Sequence, residues 1–522
     1  MALESTYSAI NLSVLCVFLS VALGLVVFKI RRRSKSNAPP SPPKLPFIGN
    51  LHQLGTLPHR SLQALSRNYG PLMMLQMGQI PTLIVSSAHV AAEIFKNHDV
   101  VFSYRPKTTA TGVFFYGYKD IGFSPYGEEW RQKRKVCVLE LVSMKSVRSF
   151  QFIRAEEVAE MIAAIREACA SGSESGSSCV HLSELLIALT NNTLSRCVFG
   201  QKYDSPDGSR SFGVIRRKLL SQFTAFCVGD FFPSLSWVDV LTGRIRKLKA
   251  TLSSLDVFFD QVIAEHKTKM KKKGEGDGQS DKKDFVDILL QLEEARMLGF
   301  DLSQDNLKAL LVDMFIGASD TTSTTLEWAM AELMKNPNTM EKVQEEVRRV
   351  VGNKAEVDEN DVKQMNYLKC VVKETLRLHP PAPFLLPRET SSAVKLRGYD
   401  IPAKTRVMLN AWAIQRDPEF WEKPDEFIPE RFEDSKVDFR GQDFEFIPFG
   451  VGRRGCPGIT FGITLAEYAL ANLLRWFDWK LPQTHASVQG IDMSEKHGIS
   501  VNKKVPLLLQ PIPISFEIGS KP

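Results

Sequence analysis

A length of 522 residues would accommodate about three domains, yet no linker splits the chain after residue 50 and no internal repeat is present. Its eight cysteines are irregularly spaced and include no CxxC pair, which argues against both a zinc site and a disulfide framework and predicts reduced thiols. The net charge of +7 includes a five-residue basic cluster near the amino terminus, so it makes no case for a nucleic-acid partner.

The first predicted element is a membrane span. Ser5 to Phe28 is a run of 24 residues without Asp, Glu, Lys or Arg, long enough as a helix to cross a bilayer. Lys29, Arg31, Arg32, Arg33 and Lys35 follow it, whereas a cleaved signal peptide carries its positive charge ahead of the apolar run. Positive charge after the span predicts a body on the cytosolic side. Residues 1–30 therefore read as an anchor. Residues 31–50 read as a basic stop followed by the stiff Pro39-Pro40-Ser41-Pro42-Pro43-Lys44-Leu45-Pro46 hinge, and 51–522 as one catalytic body.

Periodicity through that body gives mostly helices, with short strands near Leu72–Met77, Thr82–Ser86, Val394–Leu396 and Arg406–Asn410. Trp130 and Arg134 lie one helical turn apart in YGEEWRQKRKV, so an indole N–H and a guanidinium can point together; the alternative is a solvated basic face shared with Arg131, Lys133 and Lys135. The Ser/Gly patch Ser171–Ser178 and the charged run Lys267–Lys283 read as exposed loops between helices. From Leu311 to Met330 a helix carries Asp320-Thr321 in a Ser/Thr-rich interior of poor helix propensity, which would also suit a capping segment between two helices. Glu374 and Arg377 share a helix face at i, i+3 spacing, and Pro429-Glu430-Arg431-Phe432 follows.

Phe449 to Gly458 reads FGVGRRGCPG, a loop that presents Cys456 between glycines and arginines. Gly450-Val451-Gly452-Arg453-Arg454-Gly455 also satisfies G-x-G-x-x-G. However, Cys456-Pro457 and an apolar helix from Ile459 to Phe477 stand where a dinucleotide site needs its βαβ unit and a downstream acid. A buried structural thiol is the plainer alternative. A flat ligand carrying both a metal and carboxylates, such as a haem, would occupy sulfur and arginine together.

Phe449, Gly452, Arg454, Cys456 and Gly458 resemble, position by position, the cysteine loop of cytochrome P450 enzymes. Glu374-Arg377, Arg431 and Asp320-Thr321 fall in that family's order along essentially the whole chain. The strings LPFIGN, FSPYGEEWRQKRKV, DTTSTTLEWAM and PFGVGRRGCPG are similar to the plant A-type branch, clan 71. The resemblance implies a mainly α fold, a helical triangular body with a small β-rich part, preceded by an N-terminal transmembrane helix. It implies haem b with Cys456 as the axial iron ligand, its thiolate favouring O–O cleavage. Phe449 would pack at that cofactor. Trp130, Arg134, Arg388 and Arg454 would meet the haem propionates, and Asp320 with Thr321 would supply protons for oxygen activation. Glu374, Arg377 and Arg431 would form a supporting triad without chemistry of their own. Ala318 departs from the pattern, standing where a glycine is usual, and its methyl would narrow the oxygen groove.

The activity so implied is NADPH- and dioxygen-dependent monooxygenation of a hydrophobic small molecule, such as a terpenoid, alkaloid or phenylpropanoid. Electrons would arrive through NADPH–cytochrome P450 reductase, with cytochrome b5 and membrane lipid as further partners, at a single-pass location in the endoplasmic reticulum. Substrate would meet Arg105 to Ile121 with Phe114, Phe115 and Tyr116, the helix face with Phe315 and Ile316, Ala382 to Leu386, and Val505 to Leu507. Two other functions suit the same residues: a haem-thiolate enzyme that desaturates, couples rings or rearranges its substrate, and a membrane-tethered haem sensor or carrier without turnover.

Overall fold

Helices make up most of the fold, and the strands are short and gathered from distant parts of the chain. The computed structural model describes residues 37–171, 179–203, 212–273, 283–482 and 490–514, together with Ser20. The predicted anchor and its basic stop fall outside the described residues, Ser20 apart. Among the described residues no helix is long and apolar enough to cross a membrane.

The helices that shape the interior are α1 (Glu128–Val136), α2 (Gln151–Ser171), α3 (Leu182–Phe199), α4 (Phe212–Phe223), α5 (Arg244–Lys273), α6 (Gln304–Lys335), α7 (Pro337–Val351), α8 (Asn366–Leu378) and α9 (Ile459–Trp476). The charged run expected to be a loop from Lys267 starts as the last turns of α5, which reaches Lys273; residues 274–282 lie outside the description. Lys and Met are good helix formers, so the charge run alone did not mark the boundary. Residues 172–178 of the Ser/Gly patch also lie outside it, and Ser171 closes α2.

α6 is the central element, 32 residues long. It opens at Ser303, whose side chain accepts the Asn306 N–H, an N-cap that occupies one free donor of the first turn. Its polar interior stays helical because the hydroxyls bond backward along the helix. Thr321 Oγ1 donates to the Gly317 carbonyl at 2.8 Å, Thr324 Oγ1 to Asp320 at 2.7 Å and Thr325 Oγ1 to Thr321 at 2.9 Å. The capping-segment reading of this stretch is thereby replaced by an unbroken helix.

A four-stranded sheet lies to one side, in the order β1, β2, β5, β4: β1 (Leu72–Met77), β2 (Ile80–Val85), β4 (Arg388–Glu389) and β5 (Arg406–Leu409). β1 pairs antiparallel to β2, β2 runs parallel to β5 with Thr82 opposite Arg406, and β4 closes the edge antiparallel to β5. Gly78 turns β1 into β2 at φ +61°, where an added Cβ would come within 2.6 Å of the Phe231 carbonyl oxygen. A second sheet joins β3 (Val180–His181), β7 (Leu508–Pro513) and β6 (Phe477–Lys480), with β7 in the middle. The apolar core falls into several clusters. One packs α7, α8 and α9 together, with Phe449 of the cysteine loop against it, and another packs the second half of α3 with α4, α5 and the first half of α6.

Glu374 and Arg377 are completely buried on α8 and joined by two hydrogen bonds of 2.7 and 2.8 Å. Arg431 reaches the same carboxylate at 3.0 Å, and the Ile428 N–H donates to it at 2.9 Å. Arg377 spends its remaining N–H groups on the carbonyls of Gln415, Pro424 and Glu426. A buried ion pair whose guanidinium protons are all used positions chain segments more than it stabilises them. The segments fixed here are the ones that lead into the cysteine loop.

Candidate active site

The cysteine loop is closed by its own main chain: the Cys456 N–H donates to the Phe449 carbonyl at 2.9 Å and the Gly455 N–H to Gly452 at 3.0 Å. Gly452 adopts φ +69°, and a Cβ there would strike Asp99 Oδ1 at 2.5 Å, so this position must be glycine. Gly455 and Gly458 have negative φ, and their contribution is room instead.

Cys456, Phe449, Arg134, Arg388 and Arg454 border one cavity of about 320 Å³, whose opposite wall is α6 at Gly317, Ala318 and Thr321. The surface that Cys456 exposes faces this cavity inside the protein. Burial pushes its thiol up, while the Gly458 N–H and nearby Arg134 favour the thiolate. A cation bound at the sulfur would reverse that balance. On the other wall, a Cβ at Gly317 would meet nothing within 4 Å, which leaves an open cradle beside Thr321. Asp320 does not border the cavity; it is half-buried one residue away on α6, its carbonyl accepting Ser323 and Thr324 hydroxyls.

Arg454 donates to the carbonyls of Ser103, Ile121 and Ser124, and Arg388 to those of Phe102 and Val451. Arg134 donates to Gly455, and Arg105 to Gly122, Leu386 and Pro387. Carbonyls satisfy these N–H groups without cancelling their charge, and the Asp99 carboxylate stands 3.9 Å from Arg388. Burial, with repulsion from Arg388, holds Arg454 down at about 9. Burial brings Arg388 to about 10, and burial together with Arg388 and Arg454 lowers Arg105 well below its usual range. Four buried or half-buried guanidiniums converging on one cavity suit a dianionic ligand. With the Cys456 thiol on one wall and open space at Gly317 on the other, the donor set fits a haem: sulfur for iron, guanidiniums for propionates.

Trp130 is placed differently from the sequence expectation. Its indole N–H donates to the Ile121 carbonyl at 3.0 Å, and its ring lies 4.3 Å beneath the Arg454 guanidinium. It therefore holds Arg454 from behind, by a shared carbonyl and a cation–π contact, and does not line the cavity. Lys133, which the alternative reading would put on a solvated basic face, is buried against Asn306 and Lys119 carbonyl oxygens.

Sequence reasoning missed Arg105 as a member of the cation cluster and Asp313 as a wall residue. Asp313, on α6, accepts the Ile121 and Gly122 N–H groups and pins that loop to the helix; burial and the neighbouring Asp120 push its carboxyl well above the usual range. Arg105 opens a segment expected to meet substrate, not a cofactor, and Asp313 sits in an otherwise apolar helix stretch; the tertiary fold brings both to the same cavity. Of the expected substrate segments, Phe115, Ile316, Ala382 and Leu386 border the cavity. Phe114 and Phe315 are core, Tyr116 bonds Asp256 at 2.8 Å, and 505–507 lies away from the cavity, where Ile499 takes its place.

Residues 39–508 match the family model described as Cytochrome P450. The chain is 51% identical over 519 residues, 98% of this chain and 97% of the relative, to a phenylacetaldehyde oxime monooxygenase of Prunus mume. It is 53% identical over 496 residues, 94% of this chain and 97% of the relative, to cytochrome P450 71A1 of Persea americana. A strychnine-11-hydroxylase of Strychnos nux-vomica is 45% identical, with 97% of this chain and 98% of the relative covered. Among solved structures, a zebrafish cytochrome P450 with abiraterone superposes with a TM-score of 0.72 at 25% identity, covering 88% of this chain and 100% of that chain.

Proposed function

The chain belongs to the cytochrome P450 family as a plant A-type, oxygen-dependent monooxygenase, and from that premise we propose that it inserts one atom of dioxygen into a hydrophobic specialised metabolite. The observation that carries this reading is the single cavity shared by the Cys456 sulfur, the four guanidiniums and the Thr321 turn of α6. Cys456 would ligate the iron, and Arg105, Arg134, Arg388 and Arg454 would hold the propionates. When bound, the haem supplies dioxygen activation and oxygen transfer.

The protein's own residues do the remainder. Gly317 and Ala318 leave space on the α6 wall, and the single methyl of Ala318 narrows it. The Thr321 hydroxyl holds its proton on the Gly317 carbonyl and offers its lone pairs to the cavity, so it can pass a proton inward when the back-bond opens. Asp320, half-buried one residue earlier on α6 and outside the cavity lining, would relay a replacement proton to that hydroxyl. Phe115, Phe123, Phe223 and Ile316 exclude water and orient an apolar substrate above the sulfur.

A wall made mostly of apolar side chains, Phe115, Phe123, Phe223, Ile316 and Leu386 among them, favours a substrate of low polarity. The oxime monooxygenase and strychnine hydroxylase relatives act on small aromatic or alkaloid compounds by name, which supports the same class for this chain. Electrons would come from NADPH through cytochrome P450 reductase, with cytochrome b5 as a second donor. The apolar run before Lys29 would anchor the body to the lipid of the endoplasmic reticulum, facing the cytosol. The first test is the carbon monoxide difference spectrum of the reduced protein in microsomes. A strongly red-shifted Soret band is expected, and its loss in Cys456→Ser. Retention of that band by Cys456→Ser would assign the sulfur to another cysteine, and absence of the band in folded, haem-supplied protein would end the monooxygenase reading.

A further inference from the structure

Three buried polar side chains meet behind the Asp320-Thr321 turn, on the side of α6 away from the cavity. Arg216 of α4 donates through Nη1 to the Ser319 hydroxyl at 2.9 Å, and Ser319 Oγ donates to Asn191 Oδ1 of α3 at 2.7 Å. Ser319 is 1% exposed, and Arg216 and Asn191 are 6% exposed each. Polar groups at that depth are costly unless paired, and a chain of them fixes one arrangement of the elements that supply them.

A second, apolar contact lies one turn earlier on both helices. Phe212 of α4 packs edge-on against Phe315 of α6 with centroids 4.6 Å apart, and Phe199 of α3 stacks on the same ring at 4.9 Å. Phe212 and Arg216, like Phe315 and Ser319, stand four residues apart, so each helix grips the other through successive positions on one face. Sliding α4 along α6 would break both contacts at once. The same helices reach the substrate space, since Phe223 at the end of α4 and Leu194 of α3 border the cavity.

We propose that Arg216 is a positioning residue for oxygen activation, which acts through Ser319 to hold the Asp320-Thr321 turn in register with the substrate-facing helices α3 and α4. Substrate packed against Phe223 would reinforce that register, and an empty cavity would relax it. The proposal rests on the monooxygenase reading for its consequence in turnover, but the tie itself is a property of the three helices.

Two pairs of variants isolate the hydrogen bonds from shape: Ser319→Thr against Ser319→Val, and Arg216→Lys against Arg216→Met. Hydrogen–deuterium exchange on the haem-loaded full chain reads the tie without substrate. Amides of the 317–322 segment should exchange on the order of tenfold faster in Ser319→Val and Arg216→Met than in their hydrogen-bonding counterparts. Peroxide release with reductase and NADPH should rise severalfold in the same two variants while the thiolate carbonyl band keeps its position. In the double variant the effects should not add. Equal exchange and equal peroxide release within each pair would overturn the proposal. If one variant of a pair does not fold, the other pair decides. If the wild type lacks the thiolate band, the monooxygenase reading fails while the exchange comparison still answers for the tie.

Discussion

Cys456 is a thiol that the protein alone discourages from ionising, because burial outweighs the help of the Gly458 N–H and Arg134. Thr321 is its counterpart on the facing wall, with a hydroxyl parked on the Gly317 carbonyl at 2.8 Å. Replacing Thr321 by Ala removes a hydroxyl without adding bulk. Product formed per NADPH should therefore fall at least about tenfold, with peroxide rising in its place, while Thr321→Ser keeps most of the coupling. Paired assays of NADPH, peroxide and product check this, and unchanged coupling in Thr321→Ala would remove Thr321 from the proton route. Cys456, Thr321, Arg134, Arg388 and Arg454, named from the family resemblance, all border the cavity; that placement was legible because each sits in a short string in the family's order. Arg105 and Asp313 were not legible, since their partners are the Leu386 carbonyl and the Ile121 N–H, far away in sequence. Trp130 was found at its position but not in its orientation, which the Ile121 carbonyl decides.

Elements are held around the site by buried carboxylates that gather cations from near and distant parts of the chain. Glu374 lies between Arg377 and Arg431 with no exposed surface, so Glu374→Ala leaves two guanidiniums without their carboxylate and should cost about 3–5 kcal/mol. A urea midpoint shift without direct damage to the cavity would distinguish this from a catalytic loss. A second tie joins the helix Pro58–Tyr69 to the strand Glu495–Lys496: His59 Nε2 lies 3.0 Å and Arg60 Nε 2.6 Å from Glu495 Oε2. Burial opposes the Glu495 charge, but these two partners outweigh it and bring the carboxyl down to about 2. Its folded value is depressed, so its contribution is complete above the ordinary glutamate value of 4.5 and is lost as pH falls toward about 2. With Arg60 half exposed, that contribution is about 2 kcal/mol. Thermal melts should show Glu495→Gln less stable than wild type at pH 7 and the difference shrinking by pH 3; a constant difference would mean that packing, not charge, makes the tie. Three strands of the first sheet were legible, β1 and β2 as short apolar runs in a local hairpin and β5 as a third run, whereas the two-residue β4 was not. The sheet of β3, β6 and β7 was not, since its strands are short and meet only after the chain has folded.

At the scale of the whole molecule, the fold concentrates positive charge where it has least reason to be stable. Arg105, Arg134, Arg388 and Arg454 come from four separate parts of the chain to one cavity, hydrogen-bonded to carbonyls that leave their charge in place. Burial is the first cause of lowered basicity in each, and mutual repulsion adds to it in Arg105 and Arg454. A dianionic ligand in the cavity removes that penalty, so cofactor binding and folding are linked: a ligand at one hundred times its dissociation constant adds about 2.7 kcal/mol of stability. Haem-free protein should therefore melt below the loaded form. It should also gain stability from pyrophosphate beyond what sodium chloride of equal ionic strength provides, because a compact dianion can bridge guanidiniums that chloride only screens. Two controls locate the effect. The pyrophosphate gain should shrink in Arg388→Gln, which withdraws one of the cations, and it should vanish in haem-loaded protein if the propionates occupy them as proposed. A gain of equal size in all three preparations would place the anion elsewhere on the surface and would leave the guanidinium cluster without its assigned partner.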